Sequence, residues 1–256
     1  MDTIVLHVQC NDPDKGRRRG EIASQVRDYF VSNLEVPTDA RTLCYLDDRD
    51  ISWLKELWGG GSNRGVHWPI RGQGLHDWPQ DMWNTMAPAD LASGEITWPY
   101  DSIVYLHGST CNIEVQLAMT LAHELQHFLQ FANQRQIWAI NVLLAKLPYL
   151  PTSDLSHWYD LPTEREARII AKRVAVSIFG KSRVDEHIET MTRANSSSED
   201  AADWEFIRAL DSNEAYDPRA ATVSLVERHR TALEELQRTI FAEDRDMGTM
   251  SLNVSC

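Results

Sequence analysis

The chain has 256 residues, 43% hydrophobic and 25% charged, enough to bury a full core as one large domain or as a domain with an appendage. Its net charge of −13 argues against broad contact with nucleic acid or an anionic membrane, since both need a positive surface. With no apolar run near the ~20 residues that cross a bilayer, no basic region at Met1-Asp2-Thr3, and no C-x-x-C pair among Cys10, Cys44, Cys111 and Cys256, the expectation is an unexported, cytoplasmic protein with reduced thiols.

In chain order, Thr3 to Val8 alternates and is rich in β-branched residues, which predicts a strand. The run Lys15-Gly16-Arg17-Arg18-Arg19 reads as a solvated turn. Gly20 to Leu34 has helical periodicity, with Ile22, Val26, Tyr29, Phe30 and Leu34 on related faces, and Arg41 to Leu46 predicts a second strand. From Trp58 to Trp98 periodicity lapses, and Trp58, Trp68, Trp78, Trp83 and Trp98 read as pins holding a long loop to the core. Within it His67-Trp68-Pro69 and His76-Asp77-Trp78-Pro79 are related phrases, whose histidines read as polar surface ahead of a second metal site.

A third strand at Ser102 to Leu106 precedes a run from Ile113 to Leu147 free of proline and glycine. Asn112 is its expected N-cap and Glu114 lies in the first turn; one helix, or two broken near Asn133, both fit. Cys111 reads as a small residue at the helix entrance rather than a reactive thiol. Leu161 to Gly180 predicts another helix, with a Thr163-x-x-Glu166 capping box, Pro162 before it and Gly180 closing it. Its buried stripe is Ala167, Ala171, Val174, Ala175 and Ile178. Beyond Gly180 the residues 195–200 read as a linker or cap for a helix at Ala201 to Leu210, Ala220 to Phe241 as a long amphipathic helix, and Asp244 onward as a frayed tail. The organisation expected is a domain over 1–180 and a helical extension over 181–256, which also offers a homo-oligomer contact.

The chemistry concentrates in His123-Glu124-Leu125-Gln126-His127, an H-E-x-x-H run. At ~100° per residue, positions i and i+4 share one helical face a turn apart, so both imidazoles reach a single cation while Glu124 stands beside it. On the same wheel Leu117, Ala118, Leu121, Ala122, Leu125, Phe128 and Leu129 gather on the far side, and Gln116, Thr120, His127, Gln130 and Gln134 share the side of His123. A solvated face carrying two histidines is the plain alternative.

A catalytic zinc takes three protein ligands and leaves a position for water. The metzincin extension needs glycine at 130 and histidine at 133, but the chain has Gln130 and Asn133. The remaining option is a carboxylate on the second helix. Glu164, 37 residues after His127, falls at the edge of the buried stripe and is the expected third ligand. Glu166 points away and reads as a cap or surface residue, with Glu166, Asp160 and Asp154 as substitutes for the ligand position.

At these residues the chain resembles the gluzincin metallopeptidases, and more nearly the small intracellular zincins of the ImmA/IrrE type, whose second helix carries an E-x-E-A motif matched by Glu164-Arg165-Glu166-Ala167. The resemblance spans roughly Ser102 to Gly180. It implies an α+β zincin-like fold, a small mixed sheet packed on the H-E-x-x-H helix, with Zn2+ on His123, His127 and Glu164 and with Glu124 as catalytic base. It further implies a peptide bound by strand addition at a sheet edge, which the strand Ser102 to Leu106 would supply. A small polar residue commonly ends the family motif where this chain has Arg168, which leaves the partner of the ligand histidines unassigned.

The expected function is zinc-dependent hydrolysis of an intracellular protein or peptide, with Tyr105, His157 or Tyr159 as candidates for stabilising the oxyanion. The alternatives are a silent zincin-fold protein acting as sensor or regulator, and hydrolysis of a non-peptide amide.

Overall fold

The computed structural model describes residues 2–48, 64–69, 100–145, 161–194, 198–235 and 238. It is a mixed α+β structure, mostly helical, with a four-stranded sheet. The elements used below are β1 (Ile4–Gln9), α1 (Pro13–Asn33), β2 (Thr42–Asp47), β3 (Gly65–Pro69), β4 (Ser102–Leu106), α2 (Glu114–Asn133), α3 (Arg135–Leu144), α4 (Pro162–Phe179), α5 (Lys181–Ala194), α6 (Ser198–Ala209) and α7 (Pro218–Arg228).

The sheet order is β1-β2-β4-β3. β1, β2 and β4 run parallel, in the register Ile4↔Thr42 and Thr42↔Ser102, and β3 joins antiparallel with Gly65 opposite Leu106. Parallel neighbours need a crossover, which α1 supplies between β1 and β2. The strand Ser102–Leu106 is therefore internal, not the edge that was expected; that place, among the described residues, belongs to β3. Alternation divides the sheet's side chains. Ile4, Cys44, Leu46, Val104 and Leu106 meet Ile22, Val26 and Phe30 of α1 and Leu117, Leu121, Leu125 and Phe128 of α2 in one core.

α1 begins seven residues before the expected start. Asp12 caps it, its side chain accepting from the Asp14 and Lys15 amides, and Pro13 fills the first helical position with its preset φ. The basic run is thus helix and not a solvated turn. Arg17 and Arg18 face solvent with acidic partners, whereas Arg19 is buried and donates to the Cys111 carbonyl, the Asn112 side-chain oxygen and Asp48. Arg19 holds the Asp48 carboxyl below its usual range. It also occupies Asn112, so Asn112 is not the cap of α2; Ile113 stands at that position without a side-chain bond.

The long helical run breaks at Gln134, as one of the two expectations had it. α4 starts at Pro162, so Thr163 lies inside the first turn and the proposed capping box does not form. Gly180 ends it with φ +80°, a left-handed conformation that favours glycine. The helix expected at 220–241 is α7, which stops at Arg228; a turn at His229 separates it from helical residues 230–235.

Contacts group the chain into two compact units, Met1–Arg135 with Glu166–Ala215, and Gln136–Arg165 with Tyr216–Cys256. The first holds the sheet, α1 and α2. The second has a small core of Leu144, Leu161 and Ala232, and an Asn141 side chain that donates to the Thr222 hydroxyl at 2.9 Å. The boundary falls within the first turn of α4, so Glu164 is carried by the continuous helix that contains Glu166. No helix of the described residues is long and apolar enough to cross a membrane.

Candidate metal centre

α2 is amphipathic, but its polar stripe is not solvated. Gln116, Thr120, Glu124, His127 and Gln130 are all buried, Gln130 to 1% exposure. Polar groups kept from water cost free energy unless they are partnered, so the stripe is built to be met by other groups. His127 is therefore not on a surface face, and His123 is half-buried.

The Nε2 atoms of His123 and His127 stand 3.0 Å apart, with the rings at 89° and centroids 4.6 Å apart. Two nitrogens of a tetrahedral zinc site, each ~2.0–2.1 Å from the ion, would be about 3.3 Å apart, so the pair is close to ligating geometry. Glu164 completes the group: one ligand atom each from His123, His127 and Glu164 lie within 4.8 Å of one another. These three residues form a group that can hold a metal ion, and two imidazoles with one carboxylate is a donor set that suits zinc. Glu164 is the carboxylate that stands with the histidine pair.

Gln130 supplies the partner that the sequence left unassigned. Its Oε1 is 2.8 Å from His127 Nδ1, and its Nε2 donates to Glu166 Oε2 at 2.8 Å. Glu166 is therefore neither cap nor plain surface residue: the helix starts too early for a capping box, and its carboxylate turns to α2 instead. Gln130 was visible on the histidine side of the wheel, three residues after His127, and that spacing was its only signal. Arg168 faces a different partner. It is 3% exposed and donates to Asp203, which also receives Arg64 at 3.2 Å.

β3 borders the stripe on the Glu124 side. A Cβ at Gly65 would lie 2.8 Å from Thr120 Cγ2, 3.2 Å from the Tyr105 carbonyl oxygen and 3.3 Å from Glu124 Cγ, so only glycine lets the strand come this near the helix. Towards its N-terminal end the stripe is met by α5: His187 Nε2 donates to Gln116 Oε1 at 3.1 Å, and the Gln116 amide donates to Thr120. His187 also packs edge-on against Trp204, over which the Arg64 guanidinium lies at 4.2 Å.

Other candidates lie elsewhere. Tyr105 is fully buried on the sheet face away from α2, with its hydroxyl donated to Asp47 at 3.1 Å, so it is not available to an oxyanion. His67 is buried on β3 beside Phe128 and Phe131; burial first, then the neighbouring His127, press its pKa well down. Burial pushes the Cys111 thiol up to about 12, which suits the inert role expected of it. His76, Asp154, His157, Tyr159, Asp160 and Cys256 lie outside the described residues.

No family model, no curated protein and no solved structure matches the chain.

Proposed function

We propose that the chain is a zinc-dependent hydrolase of zincin-like build, a metallopeptidase acting on a protein or peptide. The observation that carries this reading is the convergence of His123, His127 and Glu164 on a helix pair with Glu124 next to the first histidine. A zinc ion held there would acidify a water and polarise the scissile carbonyl. His123 and His127 orient their Nε2 atoms to one point, and Glu164 adds the charge that favours a cation. Glu124 takes the proton from the attacking water and returns it to the leaving amine. Its burial against the Gly65 backbone limits its rotamers and shields it from bulk water. An extended peptide is received at the outer side of β3, which pairs with no second strand among the described residues.

The test combines elemental analysis with cleavage of a diverse peptide mixture, read by mass spectrometry. Wild-type protein should hold one zinc and cleave. Glu124→Gln should keep the zinc and lose activity by at least ~100-fold, as removal of a general base does. His123→Ala should lose the metal. A wild type that stays empty in excess zinc, or full activity in Glu124→Gln, overturns the proposal; stoichiometric zinc without cleavage assigns the fold to a silent regulator.

A further inference from the structure

The carboxamide of Gln130 has two faces and different neighbours on each. One is the His127 imidazole at Nδ1 and the other is the Glu166 carboxylate, both at 2.8 Å. An ionised carboxylate only accepts, so the amide must turn its NH2 towards Glu166. Its oxygen then faces His127, and because that oxygen only accepts, Nδ1 must carry a hydrogen. The second ring nitrogen, Nε2, is left with a lone pair. It is the nitrogen that points at His123 and the candidate metal position.

We propose that Glu166, acting through the Gln130 carboxamide, holds His127 in its Nδ1–H tautomer and so keeps Nε2 ready for a metal ion. In this role Glu166 is a positioning residue, acting through Gln130 and not as a ligand. Two features make the orientation consequential. Gln130 is 1% exposed, so water is not at hand to satisfy a turned amide. Without the carboxylate the amide loses the acceptor that faces its NH2 at 2.8 Å; an amide turned to present NH2 to Nδ1 would move the imidazole proton to Nε2. A protonated Nε2 has no lone pair for zinc, so binding would then require a tautomer change at a buried ring.

The zinc arm rests on the proposed metal centre, whereas the tautomer arm does not. At about pH 8, where ordinary histidines are neutral, long-range nitrogen–proton NMR of the metal-free protein reports each tautomer, with assignment by single His→Gln variants. The expected result is Nδ1–H for His127 in wild type, a mixture of tautomers in Glu166→Ala, and a smaller admixture in Glu166→Gln, whose amide oxygen can accept but whose NH2 can also donate. Zinc affinity, measured by chelator competition, should fall about 10- to 100-fold in Glu166→Ala, the range for loss of a ligand's hydrogen-bond partner, and by less in Glu166→Gln. Glu164→Ala should lose zinc without moving the His127 tautomer. An Nε2–H tautomer in wild-type His127 overturns the relay, as does Glu166→Ala with unchanged tautomer and affinity. A loss of affinity in either variant with the His127 tautomer unmoved also overturns it, because that pattern belongs to a direct ligand. If Glu166→Ala does not fold, the wild-type tautomer decides the question alone. A wild type that binds no zinc defeats the metal centre and leaves the NMR result standing.

Discussion

His187 shows how a single side chain in this network answers to pH. It is wedged between Gln116 and Trp204 with the Arg64 guanidinium nearby, and burial first, then Arg64, push its pKa down to about 4. An unfolded chain restores it to ~6.5. Between those values the unfolded state binds the extra proton, so stability rises with pH: the contribution of neutral His187 is whole above about pH 6.5 and is lost as pH falls towards 4. Glutamine at 187 keeps a donor for Gln116 but does not titrate. Wild type should therefore lose urea resistance more steeply than His187→Gln between about pH 6.5 and 4.5. Parallel curves for the two proteins would mean that the histidine is not held neutral in the fold.

At the scale of elements, the approach of β3 to α2 is set by the missing side chain of Gly65. Alanine there meets Thr120 Cγ2 at 2.8 Å, closer than carbon atoms tolerate, so strand and helix must part. Gly65→Ala should cost about 1–3 kcal/mol in chemical denaturation, the range for overpacking. Thr120→Ser removes the clashing methyl and keeps the hydroxyl that accepts from Gln116. The pair should then couple by about 1 kcal/mol or more, with serine recovering part of the loss. Strict additivity of the two changes would place the strain elsewhere. β3 also illustrates what the sequence hides. Five residues, Gly65-Val66-His67-Trp68-Pro69, give too few alternations to register against a glycine- and proline-rich background, and their pairing with β4 spans a long stretch of chain. By contrast, α2 was legible along nearly its whole length, because burying one face of a helix imposes a period that no loop imitates. Asn112 and the Asp12-Pro13 start mark the local limit: the same residue types cap, turn or simply receive a buried arginine, and tertiary partners decide which. The H-E-x-x-H pair was readable because its geometry is local. Gln130 and Glu166 meet only when α2 and α4 are packed together, so their partnership needed coordinates.

For the molecule as a whole, the metal group joins residues far apart in the chain. His123 and His127 are on α2 and Glu164 is on α4, 37 positions after His127, so the unfolded chain does not hold them together and an ion bound by all three favours the folded state. Mass action sets the size of the effect: free zinc at a hundred times its dissociation constant adds about 2.7 kcal/mol. For a chain of this length each kcal/mol moves the midpoint by about 2–4 °C, so zinc should raise Tm by about 5–10 °C and a chelator should reverse the shift. The ligand variants divide the effect. His127→Ala should abolish the rise, because one imidazole and one carboxylate hold zinc weakly. Glu124→Gln should retain it in full, because that carboxylate stands beside the ligand group and not within it. A rise in Tm that survives His127→Ala would show zinc binding at other groups, such as surface carboxylates in a chain of net charge −13.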